Sequence, residues 1–141
     1  MEAIIKRYRK QFPKRGTFTF SHGQRIHDVV RKKNVPDEYG AYIVSGPSDQ
    51  VLYIGRSGTM LKDGGFQAQA LRGRLTNRQG KLSRQEFFEK MLAERKIQSL
   101  LFEWFITFNE TNHVLPCLAE SQLFQAYFDC NGKLPPYNEK A

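Results

Sequence analysis

Two short β-rich runs joined by a turn constrain this chain more than any other feature. Gly40, Ala41, Tyr42, Ile43 and Val44 form the first run, and Val51, Leu52, Tyr53, Ile54 and Gly55 form the second. Gly46, Pro47, Ser48 and Asp49 lie between them. β-Branched and aromatic side chains favour extended backbone, and the intervening residues are turn formers, so the segment predicts a β-hairpin. Pairing of Ser45 with Gln50 would set Tyr42 directly opposite Tyr53. The two would then share a sheet face, with Cβ atoms about 5 Å apart. A one-residue slip would send the rings to opposite faces.

Further elements follow from periodicity and end signals. Leu100, Phe102, Trp104, Ile106 and Phe108 alternate with Glu103 and Thr107, which predicts a later strand over residues 100–108. Ser83 and Glu86 have capping-box spacing and open a helix expected to run to about Lys96. A last helix is expected from Pro116 to the Asn131-Gly132 stop, with Ala119, Leu123, Ala126, Tyr127 and Cys130 as its apolar stripe. A short helix is expected over residues 67–77, with Ala68, Leu71 and Leu75 inward. Residues 57–66, with Gly58, Gly64 and Gly65, read as a loop. The fold class is therefore α+β, with a small central antiparallel sheet made of the hairpin plus a later strand and flanked by helices.

Residues 1–38 read as a basic N-terminal extension with local helices, one over 2–11 and one from an N-cap at Ser21 to about Lys33. Residues 39–141 form the main domain. The 141 residues suffice for one ordinary domain and are too few for two well-cored ones. Cys117 and Cys130 fall on the same helix, about 20 Å apart, too far to pair, and are expected as small buried groups. No run of 18 apolar residues is present, so a soluble, cytoplasmic protein is expected.

The formal net charge is +8, which points to a polyanionic partner. Lys6, Arg7, Arg9, Lys10, Lys14 and Arg15 crowd the N-terminus. Arg72, Arg74, Arg78, Lys81 and Arg84 form a second group. Either group alone reads equally well as a solvated face.

The ordered set of Gly40-Ala41-Tyr42, Tyr53-Ile54-Gly55, Arg74-Leu75, Glu120 and Asn138 resembles the GIY-YIG nuclease superfamily, over about residues 39–138. The resemblance implies a metal-dependent endonuclease that hydrolyses DNA phosphodiester bonds with one Mg²⁺ (or Mn²⁺) ion per site. It implies that Tyr42 is the general base and that Tyr53 positions water or phosphate. Glu120 would hold the ion, Arg74 would clamp the scissile phosphate, and Asn138 would buttress the site. A free tyrosine with a pKa near 10 is a poor base at neutral pH, so Arg56 and Arg74 are expected to lower that of Tyr42. Arg72 and Arg74 are about 200° apart on a helix, so only one can enter the site.

Three departures stand out. Arg78 occupies a position where many family members carry His or Tyr, and a guanidinium can bind phosphate but cannot take up a proton. His113 is one candidate to replace that function. Ala41 stands for isoleucine, and the segment 57–66 is long enough to touch DNA. Lys6, Arg7, Arg9, Lys10, Arg72 and Arg78 are expected to contact nucleic acid, DNA first and RNA as an open alternative, with the protein a monomer or homodimer. The competing reading is a nucleic-acid-binding module on this scaffold with little or no cleavage. A basic protein-interaction domain would require the site residues to be coincidental.

Overall fold

In the computed structural model the described residues are 1–79 and 82–141, without the side chains of Arg78 and Gln79. In chain order the elements are α1 (Glu2–Gln11), β1 (Arg15–Ser21), α2 (Ile26–Lys32), β2 (Tyr39–Ser45), β3 (Val51–Arg56), β4 (Thr59–Met60), β5 (Phe66–Gln67), α3 (Leu71–Thr76), β6 (Arg78–Gln79), β7 (Leu82–Ser83), α4 (Arg84–Arg95), β8 (Ser99–Phe108) and α5 (Pro116–Asn131). The architecture is α+β. Four antiparallel strands in the order β1-β8-β2-β3 form the main sheet.

The long alternating strand β8 pairs with β1 on one side and β2 on the other, and β2 in turn pairs with β3. Its Leu100, Phe102, Trp104 and Ile106 join Tyr42, Val44, Leu71, Leu75, Phe88 and Met91 in a core beneath α2, α3 and α4. The opposite sheet face presents Ala41, Ile43, Ile54 and Phe105 to Tyr8 and Phe12 of α1 and to Ala119 and Leu123 of α5. Each fully buried large apolar side chain contributes roughly 1.5–3 kcal/mol, so both layers are needed to hold a sheet of this size.

Residues 1–38 were expected as an extension, and the structure makes them part of the sheet and of both cores. β1 pairs with β8 along its whole length, from Arg15 opposite Phe105 to Ser21 opposite Ser99. Phe18 stacks on Phe102 with ring centroids 4.5 Å apart. Tyr8 meets Phe105 edge-on at 5.6 Å, and its hydroxyl donates to Gln122 Oε1 at 2.6 Å. Ser21 therefore ends a strand, and α2 is capped at Arg25.

Local end signals translate into the observed ends. The Ser83 hydroxyl accepts from the Glu86 N–H, and the Glu86 carboxylate accepts from the Ser83 N–H, so the capping box opens α4. α5 begins at Pro116 and stops at Gly132, whose φ of 68° is left-handed. α3 is shorter than expected. Ala68 has a φ of 67°, incompatible with a right-handed helix, and is exposed. The segment 57–66 is not all loop: β4 and β5 pair as a small hairpin, and Phe66 stacks on Tyr39 at 4.0 Å. Both cysteines are exposed rather than buried, with the N-terminal amine 3.8 Å from Cys130 Sγ. No helix among the described residues is long and apolar enough to cross a membrane.

Candidate functional site

The hairpin of β2 and β3 forms, but in a different register from the symmetric one expected. Tyr42 pairs with Gly55, Ile43 with Ile54 and Val44 with Tyr53, and an irregularity falls between Val44 and Ser45. The pairing is shifted by two residues from the expected register. An even shift preserves the side-chain face, so Tyr42 and Tyr53 remain on one face as diagonal neighbours, with ring centroids 6.0 Å apart. The register explains why a glycine stands opposite Tyr42. A Cβ on Gly55 would lie 2.5 Å from Tyr42 Cζ, so the ring occupies the space that any other residue would fill. Gly40 is equally constrained, since a Cβ there would collide with the Phe105 carbonyl oxygen.

Tyr42 is completely buried. Its hydroxyl has no hydrogen-bond partner of good geometry. Desolvation by burial pushes its pKa well above the ordinary value for tyrosine. The positive charges of Arg84 and Arg74 oppose this only partly, and the neighbouring Tyr53 phenol adds to the rise. This corrects the expectation that Arg56 and Arg74 lower the Tyr42 pKa. Burial outweighs both nearby guanidiniums, and Arg56 is not among the charges that act on Tyr42. Arg84, grouped in the sequence with solvated basic residues, is instead fully buried, with its guanidinium 5.9 Å from the centre of the Phe87 ring.

Glu120 and Arg56 meet at 3.3 Å, bringing α5 against β3. The Glu120 side chain is 20% exposed. Burial raises its carboxyl pKa, while Arg56 and then Arg74 pull it down. Arg74 thus acts electrostatically on both Tyr42 and Glu120 from α3. Its Nε is buried and, among the described residues, has no hydrogen-bond partner. Arg72 turns away, donating from Nε to the Val35 carbonyl at 3.0 Å, so the choice between the two arginines falls as the helix angle requires.

A cavity of about 400 Å³ at the β3 edge of the sheet is lined by Tyr53, Ile54, Phe87, Lys90, Glu120 and Asn138, among others. Asn138 pairs with the Ile54 backbone through both ends of its amide. Oδ1 accepts from the Ile54 N–H at 2.9 Å, and Nδ2 donates to the Ile54 carbonyl at 2.9 Å. The Tyr137 N–H donates to the Leu52 carbonyl at 3.0 Å. The C-terminal segment therefore covers the open edge of β3 as an added strand would, and keeps Tyr53 in place between its two pinned neighbours.

Among the described residues no group of three or more His, Cys, Asp or Glu side chains is placed to hold a metal ion. Glu120 is the one proposed carboxylate ligand. At 3.3 Å its contact with Arg56 is longer than a strong charge-assisted hydrogen bond, so the carboxylate is not fully committed. A single carboxylate with water and phosphate oxygens fits Mg²⁺, which keeps several of its waters in most sites.

Other expected contributors lie elsewhere or are already engaged. Arg9 forms a two-pronged pair with Glu103 at 2.7 and 2.8 Å, so its charge is matched within the fold. The Arg7 guanidinium carbon lies 5.7 Å from the centre of the Tyr8 ring, and Lys6 and Lys10 are exposed on α1. His113 packs against Phe108 at 5.4 Å and does not line the cavity that holds Tyr53 and Glu120. The Arg78 side chain and Lys81 lie outside the described residues. No protein-family model, curated protein or solved structure matches the chain.

Proposed function

We propose that this chain is a divalent-metal-dependent endonuclease that hydrolyses DNA phosphodiester bonds through a GIY-YIG-type site. The observation that carries the reading is the convergence on one sheet edge of groups far apart in sequence. Tyr53, Glu120 and Asn138 line one cavity, Arg56 is paired to Glu120, and Arg74 acts on both Glu120 and Tyr42.

Each residue has a role that its surroundings support. Glu120 would hold the ion, and Arg56, its partner in the fold, would offset the charge of the incoming phosphate. When bound, the ion supplies charge neutralisation and lowers the pKa of a water molecule. Arg74, with an Nε that has no acceptor among the described residues, donates to a non-bridging phosphate oxygen. Tyr53 orients the water from the cavity wall. Tyr42 stays protonated at neutral pH, because burial raises its pKa, and so backs the neighbouring Tyr53 phenol rather than acting as a base. Asn138 fixes the strand that carries Tyr53.

The second reading, a nucleic-acid-binding module that cuts poorly or not at all, is favoured by the complete burial of Tyr42. Supercoiled plasmid incubated with Mg²⁺, Mn²⁺ or EDTA decides between them. The nuclease reading expects nicked circles only with the ion, since one compact site cuts one strand. Binding without nicking in either ion would favour the second reading.

A further inference from the structure

Two lysines stand at the same cavity with no role in the chemistry above. Lys90, on α4, and Lys140, in the C-terminal segment, both line it and are both exposed. The ion pairs among the described residues engage Arg9, Lys14, His27 and Arg56, and neither of these lysines. Both are held near Tyr53 by the fold. Lys90 lies one helical turn beyond Phe87, whose ring meets Tyr53 edge-on at 5.2 Å. Lys140 follows Asn138 by two residues, so its Cα stays within about 7 Å of the Asn138 Cα, whose side chain grips Ile54.

The cavity also holds the carboxylates of Glu120 and Glu139, which repel a polyanion unless cations at the rim offset them. A nucleic-acid strand carries one charge per roughly 3.4 Å of helix axis, so a strand presenting one phosphate to Arg74 must place its neighbours within a few ångströms of the cavity rim. We propose that Lys90 and Lys140 bind the phosphates that flank the scissile bond, so that one strand crosses the cavity mouth between α4 and the C-terminal segment. This rests on the nuclease reading of the same site. It places the backbone track at the edge of β3, lined by none of the basic residues of α1.

The test is the salt dependence of binding, read by anisotropy of a labelled 20-base-pair duplex in EDTA. Lys90→Gln/Lys140→Gln is compared with wild type and with Lys32→Gln/Lys33→Gln, an equal loss of exposed charge at the end of α2. The slope of log affinity against log salt is expected to become shallower by about 1.8 in the first variant, at about 0.9 per lost phosphate contact, and to stay at the wild-type value in the second. A wild type with a steep slope that Lys90→Gln/Lys140→Gln reproduces would overturn this assignment and leave the nuclease reading standing. A wild type that does not bind the duplex overturns both.

Discussion

Replacing Tyr42 by Phe removes one oxygen atom and keeps the ring that fills the space over Gly55. In the folded chain that hydroxyl is buried and lacks a hydrogen-bond partner of good geometry. An unsatisfied buried polar group costs about 1–3 kcal/mol, and the nearby Tyr53 phenol places this case toward the lower end. Tyr42→Phe is therefore expected to be more stable than wild type by about 1 kcal/mol, a rise in melting temperature of about 3–4 °C for a chain of this length. Its single-turnover nicking rate is expected to fall by about 10² to 10³, the usual loss when a preorganised donor at the site is removed. The pH dependence separates donor from base. Because burial raises the Tyr42 pKa, the wild-type rate should show no rise through a tyrosine ionisation below pH 10. The folded state also holds this proton more tightly than the unfolded chain does, so Tyr42 erodes stability as the pH climbs above 10, and Tyr42→Phe should resist alkaline unfolding better. Thermal melts and plasmid nicking on the same preparations provide the readings. A lower melting temperature would mean that the hydroxyl is satisfied. A wild-type nicking rate in the variant would remove Tyr42 from the chemistry, leaving it as a packing residue.

Glu120→Gln should abolish metal-dependent nicking while leaving DNA binding intact, and should not destabilise the fold. The carboxyl pKa is raised by burial, so ionisation costs stability as the pH rises above the ordinary carboxylate range, and the amide removes that cost. Urea melts from pH 4 to 8 should show a flatter pH dependence in the variant, and a loss of more than about 1 kcal/mol at pH 7 would mean that the Arg56 pair outweighs desolvation. Gly55→Ala should cost about 1–3 kcal/mol and lower activity, because its methyl group would meet the Tyr42 ring at 2.5 Å. Wild-type stability in that variant would refute the register of the hairpin. Asn138→Ala removes two hydrogen bonds to Ile54 and should cost about 1–2 kcal/mol. Nicking should slow with its metal requirement unchanged, and full activity at reduced stability would make Asn138 a purely structural clip.

Features written in local chemistry were readable from the sequence, and features set by distant partners were not. The Ser83–Glu86 capping box and the Pro116 and Gly132 ends of α5 depend on a few adjacent residues, and they appear where expected. The hairpin was legible as a hairpin, but the pairing at Ser45, one residue off, and the irregularity between Val44 and Ser45 together moved its register by two residues. Parity survived that change, so the shared face of the two tyrosines survived with it. β1 carried a visible signal in the alternation of Thr17, Phe18, Thr19 and Phe20. Its partner β8 lies 78 to 90 residues away, and the flanking basic residues suggested a solvated arm instead. The burial of Arg84 and the raised pKa of Tyr42 are tertiary properties. Phe87 and Phe88, one turn on from Arg84, are the only local hint that its face turns inward.

Three of the groups that this fold leaves poorly compensated act on one another, since the Arg74 charge reaches both Tyr42 and Glu120. Among the described residues Tyr42 Oη and Arg74 Nε are buried without hydrogen-bond partners of good geometry, and Glu120 is held in surroundings that disfavour its charge. Each is a local cost of the kind that a well-packed domain otherwise removes. The neighbouring structure is the reverse: β3 is clamped by Asn138 and Tyr137, α4 is fully capped, and the Tyr42 ring is seated against a glycine that admits it. Rigid support around unsatisfied donors and a desolvated carboxylate is what preorganised binding of a charged, acceptor-rich group requires, since the surroundings are then not rearranged when the ligand arrives. A phosphate meets that description, because its oxygens accept from tyrosine and arginine while an ion held by a carboxylate offsets its charge. The same arrangement accounts for the opposite effects expected on stability and activity. The substitutions that relieve these costs, Tyr42→Phe and Glu120→Gln, are those expected to remove the function.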